Sequence, residues 1–128
     1  MMTTEKFDIN NKPSGLTRIY LASVNSTRAF SWLYKNETAF KQELLLLGLL
    51  IPVSFFFDVS AIEHGVLVIS LIFIVFTEVV NTAIEVVVDR IGLEIHPLSG
   101  LAKDLGSAAV LLSLVIAIIT WCAILWPL

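Results

Sequence analysis

Read as apolar and polar positions, the chain divides into a polar start, one amphipathic segment and three apolar runs. Residues 1–14 are polar and irregular, with Pro13 and Ser14 ahead of Gly15, and read as a flexible tail. Over 16–35, Leu16, Ile19, Tyr20, Ser23, Val24, Thr27, Phe30 and Tyr34 recur at helical spacing, and Arg18, Asn25, Arg28 and Lys35 fall on the other side. This pattern predicts an amphipathic helix with a basic face, lying in a membrane interface. An ordinary helix packed on a soluble core is the alternative, disfavoured by the apolar remainder of the chain. "LLLLGLLIPVSFFF" (44–57) is short for a span of about 20 residues, but it extends back through Thr38, Ala39 and Phe40 while Lys41 snorkels. A second run covers 65–88. A third covers 105–126, with Trp121 and Trp126 placed as an interfacial aromatic belt. "DVSAIEH" links the first two runs. "DRIGLEIHPLSGLAKD" links the second and third, and Gly92, Pro97 and Gly100 are expected to break the helix there. The expected fold is an all-α membrane protein: an interfacial helix over 16–35, then three transmembrane helices at about 38–57, 65–88 and 105–126, in one domain from 15 to 128.

Composition agrees. The chain is 57% hydrophobic and 15% charged, with a mean hydropathy of +0.89, where soluble domains carry about 25% charged residues. A soluble bundle would have too little polar surface to cover 65–88. Cys122 is the only cysteine, which excludes an internal disulfide, and no metal-binding Cys/His spacing occurs. The first apolar run starts too late for a cleaved leader, so the N-terminus is expected in the cytoplasm. All eight basic residues lie before the first span, at its very start (Lys41), or between the second and third. The positive-inside rule then sets the 90–104 loop in the cytoplasm and the 58–64 loop and C-terminus outside. A three-helix unit this small has little interior in which to shield polar groups, so a homo-oligomer is expected.

The polar groups in question form a stripe. Advancing roughly 100° per residue from Glu78, the residues Asn81, Thr82, Glu85 and Asp89 all fall within about 100° of arc, on the last turns of the second span. An ionised group facing lipid costs at least about 2.5 kcal/mol on the mildest scale. Three readings compete: a solvated helix end, natural for Asp89 beside Arg90; an ion or proton path through an oligomer; and a site for a divalent cation and a phosphate donor. Mg²⁺ is held by one or two carboxylates plus phosphate oxygens, and phosphoryl transfer adds a base and cations. Glu37, Lys103 and Asp104 lie at the depth of Glu85 and supply these types. Taken alone, Lys103 is as much a positive-inside anchor and His96 a loop histidine. His64 and Cys122 carry no chemistry in this reading.

The run Glu78-Val-Val-Asn81-Thr82-Ala83-Ile84-Glu85-Val-Val-Val-Asp89 resembles the signature E-x-x-N-[ST]-[SA]-x-E-x-x-[VA]-D of the prokaryotic diacylglycerol kinases, with every fixed position met. Gly15-Leu-Thr-Arg18, Asn36-Glu37, Gln42-Glu43, Ala102-Lys103-Asp104, Gly106-Ser107-Ala108-Ala109-Val110 and Thr120-Trp121-Cys122 extend the resemblance over roughly 14–126. It implies a homotrimer of the bacterial inner membrane that phosphorylates diacylglycerol with MgATP on the cytoplasmic side. By position, Glu78 would be the general base, supported by Asn81, and Glu37 and Glu85 would hold Mg²⁺ and nucleotide. Arg18, Asn25, Lys103 and Asp104 would contact ATP, with Glu94, Ile95 and His96 lining it. Arg18, Ala22, Ser23, Glu43, Ser107 and Trp121 would contact the lipid. The sequence departs from relatives at Leu21 and Ser31, where they carry basic residues, and at Asn25, where they carry an aromatic hydroxyl. A branch of the same fold phosphorylates undecaprenol, but "VVDRIG" and "TWCAILW" resemble the diacylglycerol branch. A non-catalytic ion- or proton-conducting protein is the remote alternative. No P-loop and no protein-kinase catalytic loop occurs.

Overall fold

The computed structural model describes residues 10–126. Most of the tail expected over 1–14 therefore lies outside the described residues. Four helices occur in order: α1 (Gly15–Asn36), α2 (Thr38–Ser54), α3 (Ala61–Ile91) and α4 (Pro97–Leu125). No strand occurs among the described residues. One compact unit ends at Asn36, so it holds α1; the second begins at Glu37 and holds α2, α3 and α4.

α1 starts at Gly15, whose φ of 63° is left-handed and costs glycine little. Lys35 in the last turn offsets the negative end of the helix dipole. Ser23 and Thr27 donate to the carbonyls of Ile19 and Ser23, both at 2.9 Å.

In the second unit the helix ends differ from those the apolar runs suggest, for identifiable reasons. The first run continues to Phe57, yet α2 closes at Ser54. Phe55, Phe56 and Phe57 donate their N–H groups to Pro52, Val53 and Ser54 in a tightened last turn. α3 starts at Ala61, inside the polar link, because Ser60 and Glu63 form a capping box. Ser60 Oγ accepts from the Glu63 N–H (3.1 Å) and Glu63 Oε2 from the Ser60 N–H (2.8 Å). Gly92 ends α3 as expected. Pro97 and Gly100 do not break the chain; both lie inside α4. Proline suits the first helical position, where its missing N–H has no partner to lose, and His96 Nδ1 caps the end by accepting from the Leu98 N–H (3.1 Å). Two of the helices, α3 and α4, are long and apolar enough to cross a membrane. α2 has 17 residues, short of the length of about 20 that a span needs.

α3 is the central helix of this unit. Its buried residues Leu67, Ser70, Leu71, Ile74, Thr77, Glu78, Asn81, Thr82 and Val88 recur every three or four positions, which makes one packed face. Leu71, Ile74 and Ala117 form the core, with Leu46, Leu47, Leu50 and Ile51 from α2 and Trp121 from α4 against it. The buried residues of α4 are all small, Gly106, Ser113 and Ala117, so its backbone comes close to α3. Hydroxyls pin the register. Trp121 Nε1 donates to Ser70 Oγ (3.1 Å), and the Thr77 and Ser113 hydroxyls meet at 2.9 Å. Each of these hydroxyls also reaches a carbonyl of its own helix at 2.6–2.8 Å. In an apolar medium no water is available to satisfy them otherwise. The Trp121 indole N–H is thus used between α3 and α4.

Candidate active site

The polar stripe lies on the packed face of α3 and grades outward along it. Glu78, Asn81 and Thr82 are buried, with 6%, 8% and 5% exposure. Glu85 is half-buried and Asp89 exposed. Glu78 is within electrostatic reach of Glu85 and of Glu37 at the start of α2, and of Glu43, itself buried on α2. Four carboxyl groups from two helices therefore converge where dielectric screening is weak. Such a group of like charges needs a cation or protons to persist.

Hydrogen bonding within this group is incomplete. Asn81 Nδ2 donates to Glu85 Oε1 at 3.3 Å. Asn81 Oδ1, Thr82 Oγ1 and Glu43 Oε2 are buried without a partner among the described residues. Buried polar atoms are nearly always paired in native proteins. Three such atoms lie around this cluster of acids.

Further along, the chemistry turns cationic. Lys103 Nζ meets Asp89 Oδ1 at 2.8 Å, with both side chains about half exposed, and Lys103 is within electrostatic reach of Glu85. Asp89 is thus tied across to α4. A pocket of about 330 Å³ opens beside this pair, and Glu94, Ile95, His96 and Ser99 line it together with Asp89 and Lys103. The α3–α4 link therefore joins three residues expected to line a nucleotide with the lysine expected to contact it.

The remaining expected residues are more dispersed. Asp104 and Ser107 are exposed on α4. Trp121 is half-buried beside Ser70, toward the other end of α3. Arg18, Ala22, Ser23 and Asn25 all lie on α1 in the other unit; there Asn25 Oδ1 accepts from Arg28 at 2.6 Å and Ser23 is bonded to its own helix. No three His, Cys, Asp or Glu side chains form a ready-made metal cage among the described residues. Residues that sequence reasoning gave no site role also border this region: Ser99 in the pocket wall, and Gly106, which faces Asn81.

Comparison with known proteins decides what this arrangement belongs to. The family described as prokaryotic diacylglycerol kinase matches residues 24–125. The chain belongs to this family. The diacylglycerol kinase of Escherichia coli K12 is 45% identical over 116 residues, 91% of this chain and 95% of that protein. That of Haemophilus influenzae is 43% identical over 115 residues, 90% of this chain and 98% of its own length. That of Pseudomonas aeruginosa is 43% identical over 112 residues, covering 88% and 91%. Membership of the family makes the chain a kinase, a transferase of lipid metabolism, and its apolar helices are compatible with a membrane protein. The twelve-residue signature over 78–89 falls on the stretch of α3 where burial gives way to the charged pocket.

Proposed function

We propose that this diacylglycerol kinase family member transfers the γ-phosphoryl group of ATP to the primary hydroxyl of diacylglycerol, giving phosphatidic acid at the cytoplasmic face of the bacterial inner membrane. The observation that carries the reading is the gradient along one face of α3, from buried Glu78 and Asn81 through Glu85 to the exposed Asp89–Lys103 pair. A lipid hydroxyl and a water-soluble nucleotide meet best at such a gradient, each arriving from the medium in which it dissolves.

In this reading Glu78 is the general base. A carboxylate withdrawn from water is a stronger proton acceptor than a hydrated one. Glu78 takes the hydroxyl proton while the substrate oxygen bonds to the γ-phosphorus and the bond to the ADP oxygen breaks. Asn81 supports the site beside Glu78, and its amide also donates to Glu85 Oε1 at 3.3 Å. Lys103 and Asp104, with Glu94, Ile95 and His96, receive the nucleotide; Arg18 and Asn25 of α1 add to it. Arg18, Ala22, Ser23, Glu43, Ser107 and Trp121 contact the lipid. The donor set suits Mg²⁺, which uses one or two carboxylates and leaves its other positions to water and phosphate. Glu37 and Glu85 would hold it, and it would neutralise charge on the phosphates. The working form is a homotrimer of three-span protomers, which shields the acids from lipid.

The test is MgATP-dependent transfer of labelled γ-phosphate by purified protein in mixed micelles, offering diacylglycerol and undecaprenol separately. Label in phosphatidic acid is the expected result. Label in the polyprenol alone would move the chain to the other substrate, and no label from folded protein would end the kinase reading of the stripe.

A further inference from the structure

Gly106 sits on the packed face of α4, directly against Asn81. A methyl group placed there would overlap Asn81 Oδ1 and lie 3.3 Å from its Cγ and 3.6 Å from Ile84 Cδ1. The other described glycines on α2, α3 and α4, Gly48, Gly65 and Gly100, have open space where a Cβ would go. The absence of a side chain at 106 is therefore what admits the Asn81 carboxamide in its present orientation. That orientation has two consequences. It turns Nδ2 to Glu85 Oε1 at 3.3 Å, and it leaves Oδ1 buried with no partner among the described residues. An amide left to optimise its own bonding would not choose to bury a bare oxygen. It is held this way by the small surface of α4 on one side and the glutamate on the other.

We propose that Gly106 is a positioning residue for phosphoryl transfer: by leaving room for Asn81 Oδ1, it fixes the amide so that its N–H aligns the Glu85 carboxylate. The proposal rests on the kinase reading of the site, in which Glu85 serves the nucleotide end. Asn81 is short and its carboxamide rotates, so a methyl at 106 would displace the amide and not the helix. The change should register at Glu85 and not in folding.

The experiment compares wild type, Gly106→Ala, Asn81→Ala, the double variant and Gly65→Ala as a methyl added in open space on α3. Each is read by unfolding, by equilibrium binding of MgATP, and by kcat and KM for MgATP. Gly106→Ala should assemble normally and lose on the order of tenfold in MgATP affinity, the size of one lost hydrogen bond to a charged group. KM should rise accordingly, with kcat less affected. Asn81→Ala should lose MgATP affinity to the same extent, the double variant should bind MgATP no worse than either single one, and Gly65→Ala should bind it as wild type does. Unchanged MgATP affinity in Gly106→Ala overturns the proposal, as does an equal further loss in the double variant, which would make Gly106 only a packing residue. If Gly106→Ala does not assemble, the double variant must restore assembly, because the overlap is then gone; failure there also overturns it. Wild type that binds MgATP but phosphorylates no diacylglycerol would end the functional reading and leave the affinity comparison standing.

Discussion

The two halves of α3 use the same kinds of residue to opposite ends. In the half nearer Ser60, the buried hydroxyl of Ser70 is bonded both to its own helix and to α4, through Trp121, and the side chains between are Leu67, Leu71 and Ile74. Thr77 closes this half with its bond to Ser113. One turn on, Asn81 and Thr82 are as deeply buried, yet Asn81 Oδ1 and Thr82 Oγ1 have no partner among the described residues. An unmet buried polar group costs about 1–3 kcal/mol. A helix that satisfies its buried polar groups over one stretch and leaves Asn81 Oδ1 and Thr82 Oγ1 open over the next reads as scaffold in the first, and the second is the stretch on which the proposed site falls.

Substitutions along α3 can break or sharpen this contrast. Glu78→Gln keeps the shape of the side chain and removes its basicity. It should lower kcat by roughly a hundred- to ten-thousandfold, the usual worth of a general base, with little change in MgATP binding. Retained turnover would remove Glu78 from the reaction. Leu71→Ala should cost roughly 2–5 kcal/mol of stability through the cavity it leaves, read by denaturant titration, while the folded fraction keeps its turnover. A large loss of specific activity there would mean the two halves are not separable. Thr82→Val should raise stability by about 1 kcal/mol, because it deletes a buried hydroxyl that has no partner. Destabilisation instead would place Thr82 with the satisfied hydroxyls. Thr77→Val should lower stability by only about 0.6 kcal/mol, the average for a hydrogen bond between membrane helices, since Ser113 keeps its carbonyl. A fall in turnover greater than the fall in stability would extend the site into the scaffold.

Much of α3 was legible in the sequence, because the signals for it are local. The spacing of Glu78, Asn81, Thr82, Glu85 and Asp89 fixes one helical face whatever the rest of the chain does. The start of α3 was missed: hydropathy puts it at Gly65, whereas the capping box of Ser60 and Glu63 begins the helix at Ala61. Pro97 and Gly100 misled for the opposite reason: as residue types they read as breaks, and only their position in the first turn of α4 makes them part of a helix. Pairings across helices were out of reach. Asp89 has Arg90 next to it in sequence and Lys103 next to it in space, and Trp121 finds Ser70 only after α3 and α4 have set their register. The place of Gly106 against Asn81 belongs to the same class. A glycine in a motif does not say which neighbour needs the room.

The small residues of α4 have a mechanical consequence. α3 and α4 are stiff rods of 31 and 29 residues, each about 45 Å long at 1.5 Å per residue. Gly106, Ser113 and Ala117 act as the spacers between them. A bulkier side chain at Ala117, which is buried among apolar residues, would not be absorbed where it sits. It would pry the pair apart at Leu71 and Ile74, as a shim between two beams does. Enlarging the core at Ala117, unlike trimming it at Leu71, is therefore expected to disturb the small-residue contact that continues through Ser113 to Gly106 without touching any residue of the proposed site.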